Sequence, residues 1–246
     1  GEAAMRGHLS GELVRAAFRA ERSCVRAAHL LIALTAYDAG RFEHLYGSSC
    51  PVVVANPFIV SLMQRLTNQW PWQGAAPRTG VVFVGSGSSQ NLLAAEHLLA
   101  TWTSELPPLR IIGATGSALV KRHGQEALRR RGITATGFLH SLDDALRSAE
   151  FMLCPMTLGS GVKVKAIDAL ANGCRVLASR ETMNGFNFAV DSGLVLPLDM
   201  SRPGDSIERA RRHTVDPIAF KLALQATAAR QAADLDAALG ALSIAS

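Results

Sequence analysis

"FMLCPMTLGSGVKVKAIDALANGCRVLASR" (residues 151–180) holds three kinds of sequence in one run. An apolar stretch (151–156) reads as a strand. The helical pattern Gly161–Asn172 follows a turn of small residues, Gly159, Ser160 and Gly161, and a second apolar stretch (175–180) closes the run. Apolar runs without alternation suit strands covered on both faces. Strand, helix, strand in this order makes two parallel neighbours joined by a crossover. The stretch also poses a question. Lys163 and Lys165 sit at the start of the helical pattern, where the helix dipole disfavours cations.

The same alternation extends to both sides. Strand-like runs stand at 80–85, 109–114, 133–138 and 193–198, and helical patterns at Gln90–Ser104, Ser117–Arg131 and Leu142–Ala149. This predicts an α/β fold with a doubly wound parallel sheet over 80–204. Upstream, a helix over Ser10–Ala28, a strand over His29–Thr35, a helix ended by Gly47 and a strand over Pro51–Asn56 form a partial second α/β unit, within 1–66. Residues 67–79, rich in Pro, Gly and polar side chains, read as a linker whose Trp70 and Trp72 pack onto a neighbour. The tail, 205–246, carries a long helix with Asp216 as cap and Pro217 in its first turn.

Composition narrows the chemistry. The 246 residues are 48% hydrophobic and 18% charged, with a formal charge of +5. A small basic excess suits an anionic partner, and scattered arginines suit solvated helix faces. The four cysteines lack C-x-x-C spacing and read as buried thiols in a reducing compartment. The seven histidines are isolated, so no metal site is expected. Asp234–Asp236, the one D-x-D, falls deep in the tail helix and reads as a solvated face. Aromatic–basic interleaving is missing, which excludes a nucleic-acid platform.

In parallel sheets of this kind, ligands sit beyond the carboxyl ends of strands. Small-residue turns fall there at 85–87, 113–116, 137–140 and 159–161. On a helical wheel Lys165 and Asp168 share a polar stripe with Gly161. A phosphate at the glycines would meet backbone N–H groups and Lys165, and a carboxylate one turn deeper could accept from sugar hydroxyls. That arrangement would answer the lysine question. "FVGSGSSQNLL" has a G-x-G but no third glycine, and no acidic residue ends the next strand, so NAD and FAD are disfavoured.

"VVFVGSGSSQNLLAAEHLL", "LRIIGATG" and the run from Ile133 to Asn187 together resemble the donor-binding half of GT-B glycosyltransferases, with glycosyltransferase family 4 the nearest form. "ERSCVRAAHLLIALTAYDAGRFEHLYGSSCPVVVANPF" resembles the end of the acceptor-side domain. The resemblance implies a Rossmann-like donor domain and a hinge at the linker. The tail helix would pack back on the acceptor side. It also implies a nucleoside diphosphate sugar as substrate, no cofactor, no metal, and transfer to an acceptor hydroxyl on a glycan, a lipid-linked sugar or a small molecule. Donor-binding residues would be Gly85, Ser86, Gly87, Phe138, Leu139, His140, Gly159, Ser160, Gly161, Lys163, Lys165 and Asp168. Within that set Gly159–Gly161 would face the pyrophosphate, Lys165 would neutralise it, Asp168 would replace the usual Glu on the ribose, and the backbone of Phe138–His140 would meet the base. Ser160 replaces a second acidic residue, and the catalytic residues are left unassigned. The chain is expected to be a fragment, inactive alone, of a bacterial carbohydrate-biosynthesis enzyme. It would be cytoplasmic, with peripheral contact at the inner membrane and a dimer both compatible. The alternative is a catalytically incomplete nucleotide-binding or protein-interaction module on the same fold.

Overall fold

A computed structural model describes residues 11–47, 50–68, 70–72, 77–156 and 162–245. The first segment runs α1 (Gly11–Ala27), β1 (Leu31–Ala33), α2 (Ala36–Tyr46), β2 (Val52–Val54) and α3 (Pro57–Asn68). β1 and β2 pair in parallel, with α2 as the crossover. Thr35 caps α2: its Oγ1 accepts the Asp38 N–H at 3.0 Å. Gly47, with φ 67°, ends it as expected.

After the linker come β3 (Val81–Val84), α4 (Ser89–Thr101), β4 (Leu109–Ile112), α5 (Ala114–His123), α6 (Gln125–Arg129), β5 (Ile133–Thr136) and α7 (Asp143–Ser148). Then follow β6 (Phe151–Cys154), α8 (Val164–Ala171), β7 (Arg175–Ala178), α9 (Arg180–Met183), α10 (Asn187–Val190), β8 (Val195–Pro197), α11 (Pro203–Arg212) and α12 (Pro217–Ala245). All six strand-like runs form strands. They pair in parallel in the order β5-β4-β3-β6-β7-β8.

Side chains alternate between the sheet's faces, as strand geometry demands. Val82, Val84, Met152 and Val176 meet Ile59, Leu62 and Leu66 of α3, Leu146 of α7, Ile167 and Leu170 of α8, and Phe220 of α12. Val81, Phe83, Ile111 and Leu153 meet Leu98 of α4, Leu119 of α5 and Ile207 of α11. The sheet is therefore covered on both sides, which is why its strands are near-continuous apolar runs.

The structure departs from the sequence reading mainly in its helices, and α9, α10 and α11 are additions to it. The helical pattern 117–131 is two helices, separated by Gly124 at φ 79°. α8 starts at Val164, not at Gly161, which lies outside the described residues. Pro57 stops β2 but also opens α3, a helix absent from the reading. Asn56 Oδ1 accepts the Phe58 N–H at 3.0 Å, and proline fits the first helical turn. α3 then buries three aliphatic side chains in the core of the large sheet. The linker tryptophans continue the attachment, with Trp72 edge-on to Phe220 at 5.4 Å.

Two contacts make α5 sit low on the sheet. A Cβ on Gly116 would lie 2.2 Å from the Thr136 carbonyl oxygen and 2.7 Å from that of Ile111. Both neighbours are backbone and cannot step aside. Gly116→Ala should therefore lose about 3 kcal/mol, the upper part of the overpacking range, as measured by urea unfolding.

Candidate functional site

The strand order reverses between β3 and β6. From β3 the chain moves outward through β4 to β5, and from β6 it moves the other way. Crevices in parallel sheets open at that point, beyond the strand carboxyl ends. Ladder pairing of β3 with β6 stops at Val82–Met152. The strand ends beyond it border a cleft of about 240 Å³. Val84, Ser88, Asn91, Cys154, Lys163 and Lys165 are among its walls.

Two helices begin at this cleft. Ser88 caps α4, accepting the Asn91 N–H at 3.4 Å. The buried Asn91 side chain then donates to Ser86 Oγ at 2.7 Å and Ser88 Oγ at 2.9 Å, which ties the β3–α4 turn together. On the other side Lys163 is the last residue before α8, and its carbonyl accepts the Ala166 N–H at 2.8 Å. Lys165, in the first turn, sends its Nζ across the gap to donate to the Val84 carbonyl at 2.8 Å. Burial pushes the Lys165 ammonium below its ordinary pKa. Part of the lysine question is thus answered within the chain, because a strand-end carbonyl takes one of the ammonium's three donors.

The sequence-assigned residues fall into groups. Lys163 and Lys165 line the cleft; Ser86 and Gly87 are exposed in the β3–α4 turn and are not among its walls. Gly85 is buried, and a Cβ there would lie 2.3 Å from Thr115 Oγ1. Thr115 Oγ1 donates to the Ser86 carbonyl at 2.6 Å, so close packing of this turn on α5 accounts for the glycine. Gly159, Ser160 and Gly161 lie outside the described residues. Phe138, Leu139 and His140 follow β5 at the sheet edge; Phe138 is 83% exposed, and Leu139 packs against the core.

Asp168 is not part of the cleft wall. Its Oδ1 accepts from Arg65 Nη1 of α3 at 2.7 Å. Arg65 Nη2 stands 3.8 Å from Asp143 Oδ1 at the start of α7. Asp143 also accepts from the Asn172 side chain at 2.9 Å, and Arg147 donates to Asn172 at 3.2 Å. The stripe Lys165–Asp168–Asn172 therefore exists, but its tips diverge to β3, α3 and α7 in turn. Arg65 and Asn91 were missed by the sequence reading. Asn91 carried a local signal, three residues after a capping serine; Arg65 carried none.

A larger cavity, about 500 Å³, lies between the β1–β2 unit, α12 and the segment after α9. Thr35, Asn56, Asn184, Asn187, Arg230 and Asp234 border it. Asp234 is exposed, as the sequence reading expected, but on this wall rather than on a featureless helix face. α12 reaches β2 here: the Asn56 N–H donates to Gln231 Oε1 at 3.0 Å. Among the described residues no three His, Cys, Asp or Glu side chains are grouped to hold a metal ion. Among them, too, no helix is long and apolar enough to cross a membrane.

A family model described as "Glycosyl transferases group 1" matches residues 78–208, more than half of the chain. The chain belongs to the group 1 glycosyl transferases. Its fold is that of GT-B solved structures. Sucrose-phosphate synthase from Thermosynechococcus elongatus superposes with a TM-score of 0.65 at 15% identity, over 100% of this chain and 67% of that one. A GtfA/B complex gives 0.56 at 15% identity, over 92% and 47%. Anabaena HepE in complex with UDP and glucose gives 0.53 at 16% identity, over 93% and 64%. This chain thus spans about two thirds or less of each. It matches no curated protein.

Cys154 at the cleft and Cys174, just before β7, are buried. Burial raises the Cys154 thiol from 9.0 to about 12, and moves Cys174 upward too. Unfolded thiols ionise first as pH rises, so stability should fall above pH 9. The loss at pH 10 should be on the order of 1 kcal/mol for each thiol. Urea titrations at pH 7 and 10 should show that loss in the wild type, and a smaller one once both cysteines are alanine.

Proposed function

We propose that the chain is the donor-binding part of a glycosyltransferase. It takes a nucleoside diphosphate sugar at the β3–β6 cleft and passes the sugar to an acceptor hydroxyl. The observation that carries this reading is Lys165, a largely desolvated cation at the strand-order reversal, with two helix starts beside it. One ammonium donor goes to Val84, and two are left for phosphate oxygens. Lys163 at the mouth of α8 and the N–H groups of both helix starts add to the same field. Low surrounding polarity strengthens that field.

The chemistry follows from charge. As the glycosidic bond to the diphosphate breaks, negative charge builds on the leaving oxygen. Groups already aimed at that position lower the barrier without reorganising. Asp168 would hold the ribose, and the backbone after β5 the base. On this reading the chain takes the family 4 form, and a neighbour solved with UDP and glucose supports this class of donor. The larger cavity supplies the acceptor's place on this reading, because amide, carboxylate and guanidinium groups suit hydroxyl-rich molecules.

Lys165→Ala should weaken binding of UDP, GDP or ADP about tenfold or more, a fair share of a charge-assisted contact. The matching nucleosides should bind as before, and the salt dependence of diphosphate binding should shrink. Calorimetric titration checks both, and equal losses for nucleoside and diphosphate would refute the phosphate role.

A further inference from the structure

Arg65 stands between two carboxylates, and only one of them has been given a task in the proposed reaction. Its guanidinium is 2.7 Å from Asp168 and 3.8 Å from Asp143. The helix beneath it is fixed: Ile59, Leu62 and Leu66 anchor α3 in the core, so the backbone of Arg65 stays with α8. The side chains are not buried to the same degree. Arg65 is 37% accessible, Asp168 35% and Asp143 47%, so a ligand can reach the pair and the arginine can swing.

We propose that Arg65 is a two-position latch on Asp168. In the closed position it occupies the carboxylate. In the open position it moves over to Asp143 and leaves Asp168 to accept from the two ribose hydroxyls of a nucleotide. This rests on the donor-site reading above. The exchange keeps an ion pair in both positions, so its free-energy cost is at most that of the one part-exposed pair it breaks. Asp143 is already oriented, because Asn172 donates to the same oxygen at 2.9 Å. The latch explains why a residue from before the linker reaches across to α8 at the one carboxylate assigned to the sugar ring.

The test is calorimetric titration of the full chain with UDP, GDP, ADP and inorganic pyrophosphate. A half-exposed ion pair is worth up to about 1 kcal/mol, so Arg65→Gln should tighten the bound nucleotide by up to about fivefold. Pyrophosphate affinity should not rise, because pyrophosphate does not use Asp168. Asp143→Asn, which removes the open-position partner, should loosen nucleotide binding while sparing pyrophosphate. Thermal melts check that both variants are folded, and Arg65→Met serves if Arg65→Gln is not. An arginine variant that binds nucleotide no more tightly than wild type, or an equal change for pyrophosphate, overturns the latch and leaves the donor-site reading standing. If wild type and variants all ignore the three nucleotides but take pyrophosphate, the ribose site falls and the latch falls with it.

Discussion

A single cation bridging a split in the sheet organises the candidate site of this protein. β3 and β6 pair side by side, and their ladder stops at Val82–Met152. Lys165 crosses the gap to the Val84 carbonyl. That hydrogen bond lets a charged group sit at a helix start among apolar neighbours. Without it the ammonium would be desolvated with no partner, an expensive arrangement. With it, the charge is held at the one place where the strand order reverses and two helices open towards the same space.

The second constraint is how the first segment meets the large sheet. α3 precedes the linker, yet its aliphatic side chains share a core with β3, β6 and α8. Arg65 adds a polar contact to α8, and Trp72 carries the linker onto Phe220 of α12. α12 in turn touches β2 through Gln231. The β1–β2 unit is therefore tied to the rest by α3 on one side and α12 on the other, and the larger cavity lies between these ties. α3 thus carries Arg65 at one candidate region and follows directly on Asn56 at the other.

Much of the fold was legible in advance. Every strand of the large sheet appears as a short apolar run with a polar or glycine boundary, and the fold makes such runs necessary because both faces are covered. Helix limits were less legible. Pro57 read as a strand stop, although Asn56 followed by Pro57 is also a helix opening, and only burial of Ile59, Leu62 and Leu66 shows which meaning prevails. The pattern Ser117–Arg131 read as one helix, but Gly124, at positive φ, divides it in two.

The site was half visible. The sequence alone determined that two lysines follow a small-residue turn and open a helix after a buried strand, since local periodicity and dipole reasoning reach that far. It determined the family too, through the order and spacing of residues 78–208. Only the tertiary structure decided where each tip points: Lys165 to Val84, Asp168 to Arg65 more than a hundred residues earlier in the chain, and Asp234 to a cavity wall beside β2. The physical reason is range. Helix periodicity places side chains on a face within a few residues, whereas the partner that a charged tip finds is set by which distant element packs across that face.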